Sequence, residues 1–316
     1  MKGADSTEPA PPGRLSHFTP LRYPGGKGKL AAFVKSLIEA NSLHDGEYAE
    51  PYAGGAAIAL ELLLQEYVTK IHINDISRPV YSFWKSVVDH TDELVRLVRD
   101  TPLTVRSWDR QKNIVRHQSE HDDLRLGFAT FFLNRTNRSG ILGGGIIGGR
   151  DQTGPWKIDA RFNAPELTRR IEAVARLRRR ISLSQEDAYG FLSARQKSLP
   201  KNSLIYLDPP YYVKGKDLYE DYYTHGDHLR IAEFVTTKVL RQRWIVSYDN
   251  VRPVRRMYAG CQRLVYKVNY SAREATEGSE VMFLDERLQI PRLTAMTQVS
   301  ASGQLKFLGR RFNSSA

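Results

Sequence analysis

The segment SLIYLDPPYY at residues 203–212 decides how the rest of the chain is read. Its first half is a short apolar run of strand-forming residues. Its second half, Asp208-Pro209-Pro210-Tyr211, stops a strand, because two prolines remove ladder donors. A plain turn would use the same residues, since Asp favours turns. A given tetrapeptide arises by chance only on the order of 10⁻³ times in a chain of this size, with each residue type present about one time in twenty. In open α/β sheets ligands lie beyond the carboxyl ends of the strands, which is where this tetrapeptide falls.

Outward from this segment the chain alternates between strand and helix patterns. Upstream, YAEPYAGGAAIALELLLQEY at 48–67 reads as an extended run, a turn at Gly54 and Gly55, and a helix. KIHINDI at 70–76 alternates apolar and polar residues and stops at Ser77, Arg78 and Pro79, as a strand ending in a loop would. Before these, Leu30, Phe33, Val34, Leu37 and Ile38 have helical spacing. A helix is expected from the loop after 79 to about Leu97. Downstream, RRISLSQEDA at 179–188 and RWIVSYDN at 243–250 read as strands, and HLRIAEFVTTKVL at 228–240 as the helix before the second of them. RLVYKVNY at 263–270 and SEVMFLDE at 279–286 read as a hairpin closing one edge. Strands alternating with helices predict an α/β fold with a mostly parallel sheet. The run NRTNRSGILGGGIIGG at 134–149 would not sit inside such a sheet, so an inserted, mainly helical domain is expected at 86–177. The core is then discontinuous, 17–85 and 178–290, with a loose leader at 1–16 and a loose tail at 291–316.

The 316 residues carry 47 Lys and Arg against 35 Asp and Glu, a net +12, and 41% are hydrophobic. That apolar content argues against wholesale disorder, and the positive surplus tilts the reading toward a polyanionic partner. The single cysteine, Cys261, excludes an intrachain disulfide framework and fits a reducing cytosol. No apolar run approaches the roughly 18 residues of a membrane span, and the first residues lack the apolar stretch of a signal peptide. These points predict a cytoplasmic protein with no membrane partner. His225 and His228 lack companions at metal-ligand spacing, so no metal site is predicted.

Asp208-Pro209-Pro210-Tyr211 resembles the catalytic tetrapeptide of the DNA adenine N6-methyltransferases that include the bacterial Dam enzymes (D12 class, alpha motif order), and the resemblance runs from about Leu21 to Glu286. Arg22-Tyr23-Pro24-Gly25-Gly26-Lys27 resembles the family's amino-terminal cofactor motif, with Tyr23 where Trp is common. Glu50-Pro51-Tyr52-Ala53-Gly54-Gly55 resembles the glycine loop that holds the methionine part of S-adenosylmethionine, and Asn74-Asp75-Ile76 the acidic ribose-binding strand end. Asp187 resembles the position that binds the cofactor's adenine amino group, although a helix cap explains it almost as well. The blocks Phe132–Gly140 and Arg161–Pro165 resemble parts of the target-recognition region.

The resemblance implies a Rossmann-like, S-adenosylmethionine-dependent site-specific methyltransferase acting on N6 of a flipped adenine in double-stranded DNA, and admits a separately encoded restriction endonuclease as a partner. It implies Asp208, Pro209, Pro210 and Tyr211 as catalytic residues. The implied cofactor contacts are Tyr23, Gly25, Gly26, Lys27, Pro51, Tyr52, Ala53, Gly54, Gly55, Asp75, Ile76, Asp187 and Asp208.

The residues carry part of this on their own. Gly54 and Gly55 lie between a strand and a helix, where backbone can approach a ligand and the helix amino terminus faces it. Asp75 stands 20 residues beyond Gly55, the spacing of a ribose-binding acid. Asp208 can accept hydrogens from an amino group that is a poor nucleophile, with the Pro209 carbonyl as a second acceptor, while Tyr211 offers a ring for stacking. Arg135, Asn137 and Arg138, ahead of the glycine run, suit phosphate contacts or a solvated hinge in equal measure. The run from Arg169 to Arg180 reads first as the charged face of an amphipathic helix, and residues 211–228 as a loop able to close over a flipped base. The alternatives are an RNA or protein N-methyltransferase of the same fold, where Asn commonly replaces Asp208, and a catalytically inactive DNA-binding protein, for which degraded motifs are expected.

Overall fold

A computed structural model of the chain describes residues 18–22, 27–213, 223–237, 240–270, 276–291 and 306–311. Eight strands form one sheet: β1 Glu47–Glu50, β2 Lys70–Asn74, β3 Ile181–Ser184, β4 Leu204–Leu207, β5 Arg243–Asp249, β6 Gln262–Tyr270, β7 Thr276–Leu284 and β8 Lys306–Arg311. Their order is β3-β2-β1-β4-β5-β7-β6-β8. The first five run parallel to their neighbours, while β7 is antiparallel to β5 and β6, and β8 to β6. This is a Rossmann-like sheet, parallel in its first five strands. The order reverses between β1 and β4, so the chain leaves these two neighbours in opposite directions and opens a crevice at their carboxyl ends.

Strand alternation divides the interior into two clusters. Tyr48, Leu204, Tyr206, Ile245, Leu264, Tyr266, Met282 and Leu284 face one layer, which holds α1 (Ala31–Ala40) and α2 (Ala57–Leu64). Ala49, Ile205, Leu207, Trp244, Val246, Tyr248, Val281 and Phe283 face the other, with α8 (Ala188–Ser198), α9 (His225–Thr236) and α10 (Arg252–Met257). The period-two pattern of these strands therefore sets both faces at once.

The segment between β2 and β3 holds α3 (Arg78–Asp89), α4 (Thr91–Asp100), α5 (Val105–Arg116), α6 (Asp123–Thr136) and α7 (Ala164–Ala175). The expected helix to Leu97 is two helices broken at His90, whose φ of −130° is not helical. The expected insert boundary at residue 86 falls inside α3. Helix α6 is buried from Leu126 to Thr136, and its Phe131 stacks on Phe83 of α3 at 5.6 Å. A side chain at Gly127 would overlap the Ser82 carbonyl, so glycine is what lets these two helices meet. Phe131, Phe132, Phe162 and Ile171 share one apolar cluster with Ile73 and Tyr48, so the helical segment packs directly onto the sheet layer.

The tail, expected to be loose from 291, instead adds a strand: Lys306–Arg311 pairs with β6 at the sheet edge. A six-residue segment with no apolar period is stabilised there by ladder hydrogen bonds that the sequence pattern does not display. The leader at 1–16 lies outside the described residues.

Candidate active site

The loop after β1 carries the glycines. Ala53 N–H donates to the Asn74 carbonyl at 2.8 Å and Gly54 N–H to Asp75 Oδ2 at 2.8 Å. Trp84 Nε1 donates to the Gly54 carbonyl at 2.8 Å and Thr19 Oγ1 to the Gly55 carbonyl at 2.5 Å. Gly54 has φ 46° and Ala56, which precedes α2, also has φ 46°. The second of these is costly for a residue with a Cβ, and such strain collects where a ligand is gripped. Pro51, Ala53, Gly54 and Gly55 are buried, and Tyr52 is half-buried with its hydroxyl donating to Tyr223 at 3.0 Å.

The acid at the end of β2 does two jobs before any ligand is considered. Asp75 accepts from Gly54 through one oxygen and from Ser77 N–H at 3.0 Å through the other, joining its own turn to the glycine loop. Asn74 beside it donates to the carbonyls of Pro51 and Glu186, both at 2.9 Å, and accepts from Glu186 N–H and Ser184 Oγ. The carboxyl ends of β1, β2 and β3 are thus tied to one buried amide. Ile76, next to Asp75, is 46% exposed, an apolar side chain open to solvent at the strand end. Asp187 caps α8, its Oδ1 accepting from Tyr189 N–H at 3.0 Å and Gly190 N–H at 3.2 Å, so the cap reading holds for it.

Asp208 sits at the end of β4, half-buried, with Pro209 and Tyr211 buried and Pro210 half-buried. Ser247 of β5 donates to Asp208 Oδ1 at 2.7 Å and lies 2.8 Å from the Tyr206 hydroxyl. The next residue on that face of β5, Asp249, accepts from Tyr212 N–H at 2.9 Å and Val213 N–H at 3.2 Å. Tyr211 donates its hydroxyl to Glu280 of β7 at 2.6 Å, and Tyr266 of β6 donates to the other oxygen at 2.7 Å. Tyr211 is 8% exposed, so the ring walls the crevice and shows little of its face.

Glu50 closes the site from the β1 side. Its Oε1 accepts from Tyr48 at 3.0 Å and from Ala59 N–H in the first turn of α2 at 3.2 Å, a cap supplied from outside the helix. Burial pushes this carboxyl up to about 8; the two hydrogen bonds oppose the rise and the charge of Asp208 adds to it. A neutral Glu50 spares Asp208 a second negative charge nearby. In the sequence Glu50 shows only as the first residue of the glycine-loop motif, Ser247 as a polar residue within an apolar strand and Glu280 as the residue ahead of an apolar run, with no contact signalled for any of them.

The three residues expected to meet DNA separate. Arg135 is 8% exposed and points inward, its Nε donating to the Pro20 carbonyl at 2.7 Å and its terminal nitrogen to the same oxygen. Burial, with Arg170, Arg22 and Arg161 nearby, lowers this guanidinium to about 9. Asn137 is fully buried, accepting from Trp108 Nε1 at 2.6 Å and donating to Ile141 and Leu142 carbonyls at 2.9 Å. The expectation of phosphate contacts from these two is corrected: their polar groups hold the fold. Arg138 alone of the three is exposed. In the same region Trp156 is 68% exposed on a loop knitted by Gln152, which donates to the Ile147 and Gly149 carbonyls and accepts from Ile158 N–H.

Tyr23, Gly25 and Gly26, the side chain of Lys27, and residues 214–222 of the loop 211–228 expected to close over a base lie outside the described residues. Among those described, no group of three His, Cys, Asp or Glu is placed to hold a metal ion, and no helix is long and apolar enough to cross a membrane.

Residues 23–272 match a family model described as the D12 class N6 adenine-specific DNA methyltransferase. Comparison with curated proteins finds no match. Among solved structures, the rRNA methyltransferase aviRa from Streptomyces viridochromogenes is similar over 83% of this chain and 86% of its own, at 13% identity and a TM-score of 0.32.

Three expectations come from these residues. The unfolded Glu50 ionises near 4.5 and the folded one near 8, so between these values the unfolded state sheds a proton that the folded state keeps, and stability falls as pH rises. Glu50→Gln should therefore raise the thermal midpoint relative to wild type more at pH 8 than at pH 5; equal shifts at both would contradict a neutral buried carboxyl. Arg135→Ala should cost about 2–3 kcal/mol of stability, the worth of a buried charged hydrogen-bond pair. Arg138→Ala should leave the melt unchanged and reduce the slope of log affinity for DNA against log salt by about 1. Thermal melts and salt titrations of both variants separate the roles.

Proposed function

We propose, for a chain that belongs to the D12 class N6 adenine-specific DNA methyltransferase family, that the crevice between the ends of β1 and β4 takes the target adenine against Asp208 and S-adenosylmethionine against the glycine loop and Asp75. The protein is an adenine-specific DNA methyltransferase; the cofactor, the residue roles and the handling of the base are what is proposed. The observation that carries the proposal is the placement of Asp208 beside the glycine loop at the point where strand order reverses.

The residues present suit the cofactor. Asp75 is a carboxylate already fixed by backbone donors at the strand end, Ile76 is an exposed apolar neighbour, and the loop from Pro51 to Gly55 brings main chain close to the crevice. Asp75 would hold ribose hydroxyls and the glycine loop the methionine part. Tyr23 and Lys27 would reach the sulfonium side and the carboxylate, and Asp187 would meet the adenine amino group with the oxygen that does not cap α8. S-adenosylmethionine supplies an electrophilic methyl group when bound.

The work left to the protein is on the amino nitrogen. The lone pair of adenine N6 is conjugated into the ring, which makes it a weak nucleophile. Asp208 accepts one amino hydrogen and the Pro209 carbonyl the other, drawing the nitrogen toward tetrahedral geometry and stabilising the positive charge that develops on it. A carboxylate cannot deprotonate the neutral amine beforehand, so Asp208 takes the proton as the new bond forms or after it. An adenine inside a duplex cannot reach this position, so the base is flipped out of double-stranded DNA into the crevice, with Tyr211 as part of its wall. Arg138 and the loop bearing Trp156 then face the DNA. The reaction belongs to the cytoplasm, where a restriction endonuclease of the same target would be the natural counterpart.

Asp208→Ala should abolish single-turnover methyl transfer while calorimetry still shows cofactor binding. Asp75→Ala should do the reverse in order of cause, weakening the cofactor by about 1.5–3 kcal/mol for each lost charged hydrogen bond. Near-normal transfer by the first variant, or an unchanged dissociation constant in the second, would remove that residue from its role.

A further inference from the structure

We propose that Ser247 is a positioning residue for methyl transfer: its hydroxyl fixes the rotation of the Asp208 carboxylate, as the last link of a hydrogen-bond chain that starts at Tyr206. The inference rests on the reading of Asp208 as the acceptor of the adenine amino group.

Ser247 lies in the middle of β5, fully buried, where Ile245 precedes it on the same face in an apolar cluster. A small apolar residue would pack there equally well, so the hydroxyl needs a reason. A serine has one proton to give. At 2.7 Å from Asp208 Oδ1 that proton goes to the carboxylate, which leaves only the Ser247 lone pairs to meet the Tyr206 hydroxyl at 2.8 Å. Tyr206 must therefore be the donor, and burial, holding its hydroxyl well above the usual phenol range, keeps that proton in place. The chain has one direction: Tyr206 to Ser247 to Asp208.

A second grip on the same strand supports the assignment. Two residues on, and so on the same face, Asp249 accepts from the backbone of Tyr212 and Val213. Opposite Asp249 across the ladder stands Glu280, which takes the Tyr211 hydroxyl. One face of β5 and β7 thus seizes the tetrapeptide at its acid, at its ring and just past its end. Of these contacts only that of Ser247 bears on the group that meets the substrate.

The test compares Ser247→Ala and Ser247→Thr with Asp208→Ala, each with DNA and S-adenosylmethionine. Loss of a hydrogen bond to a charged group that must be correctly aimed should lower the single-turnover rate constant of Ser247→Ala about tenfold to a hundredfold. Dissociation constants for cofactor and DNA should stay within about twofold, since the residue touches neither. Ser247→Thr, which keeps the hydroxyl, should recover most of the rate. Adding Tyr206→Phe to Ser247→Ala should cost little more, because the chain is already broken. Wild-type rate in Ser247→Ala, equal loss in the Ala and Thr variants, or affinity lost in step with rate would overturn the proposal. Should Asp208→Ala itself retain transfer, the reading beneath it fails instead; an inactive Asp208→Ala beside a fully active Ser247→Ala rejects the positioning role alone.

Discussion

Hydroxyl and amide donors hold the acids at the carboxyl edge of the sheet, and the shape of the crevice follows from that. Glu50 is met by Tyr48 and a helix amide, Glu280 by Tyr211 and Tyr266, Asp208 by Ser247, and Asp75 and Asp249 by backbone N–H groups. A buried carboxylate without such partners would cost several kcal/mol or lose its charge, and burial carries even the hydrogen-bonded Glu50 up to about 8. Each donor is also a geometric constraint, since a hydrogen bond to a fixed oxygen sets a side-chain rotation. The polar groups that make the interior tolerable for acids therefore also aim them.

The same economy joins the two halves of the crevice. Asp75 spans from the end of β2 to the glycine loop after β1, and Asn74 spans from that loop to the segment after β3. The places proposed for ribose and for methionine are consequently parts of one hydrogen-bonded unit. On the other side, β5 and β7 carry the contacts to the tetrapeptide, so the antiparallel half of the sheet reaches inward to it through Glu280.

The strands, the alternation with helices and the Asp208 tetrapeptide could be read from the sequence because each leaves a local mark: a period of two, a proline stop, a glycine pair, an acid at a strand end. What could not be read depends on partners far away along the chain. Arg135 and Asn137 look like surface residues in a polar stretch, yet the first is bound to a carbonyl 115 residues away and the second to an indole nitrogen on α5. Ser247 interrupts an apolar strand, while Glu50 ends one and Glu280 precedes an apolar run, and a sequence does not say whether such a polar residue faces solvent or a buried hydroxyl. Asp187 shows the converse, a local cap signal that was sufficient. Strand β8 had no pattern to find, because its place is set by the free edge of β6.

The grip of Arg135 on Pro20 has a consequence for how segments of this chain can be exchanged. Arg135 and Asn134 of α6 and Arg170 of α7 bind the main chain of Thr19, Pro20 and Arg22, the stretch ahead of α1. The helical segment is thus not a cassette that recombination can exchange at two junctions. A chimera would need a third junction near the amino terminus, so that new helices arrive with the strap they were built to hold, whereas the exposed positions around Arg138 and Trp156 can vary without disturbing those contacts.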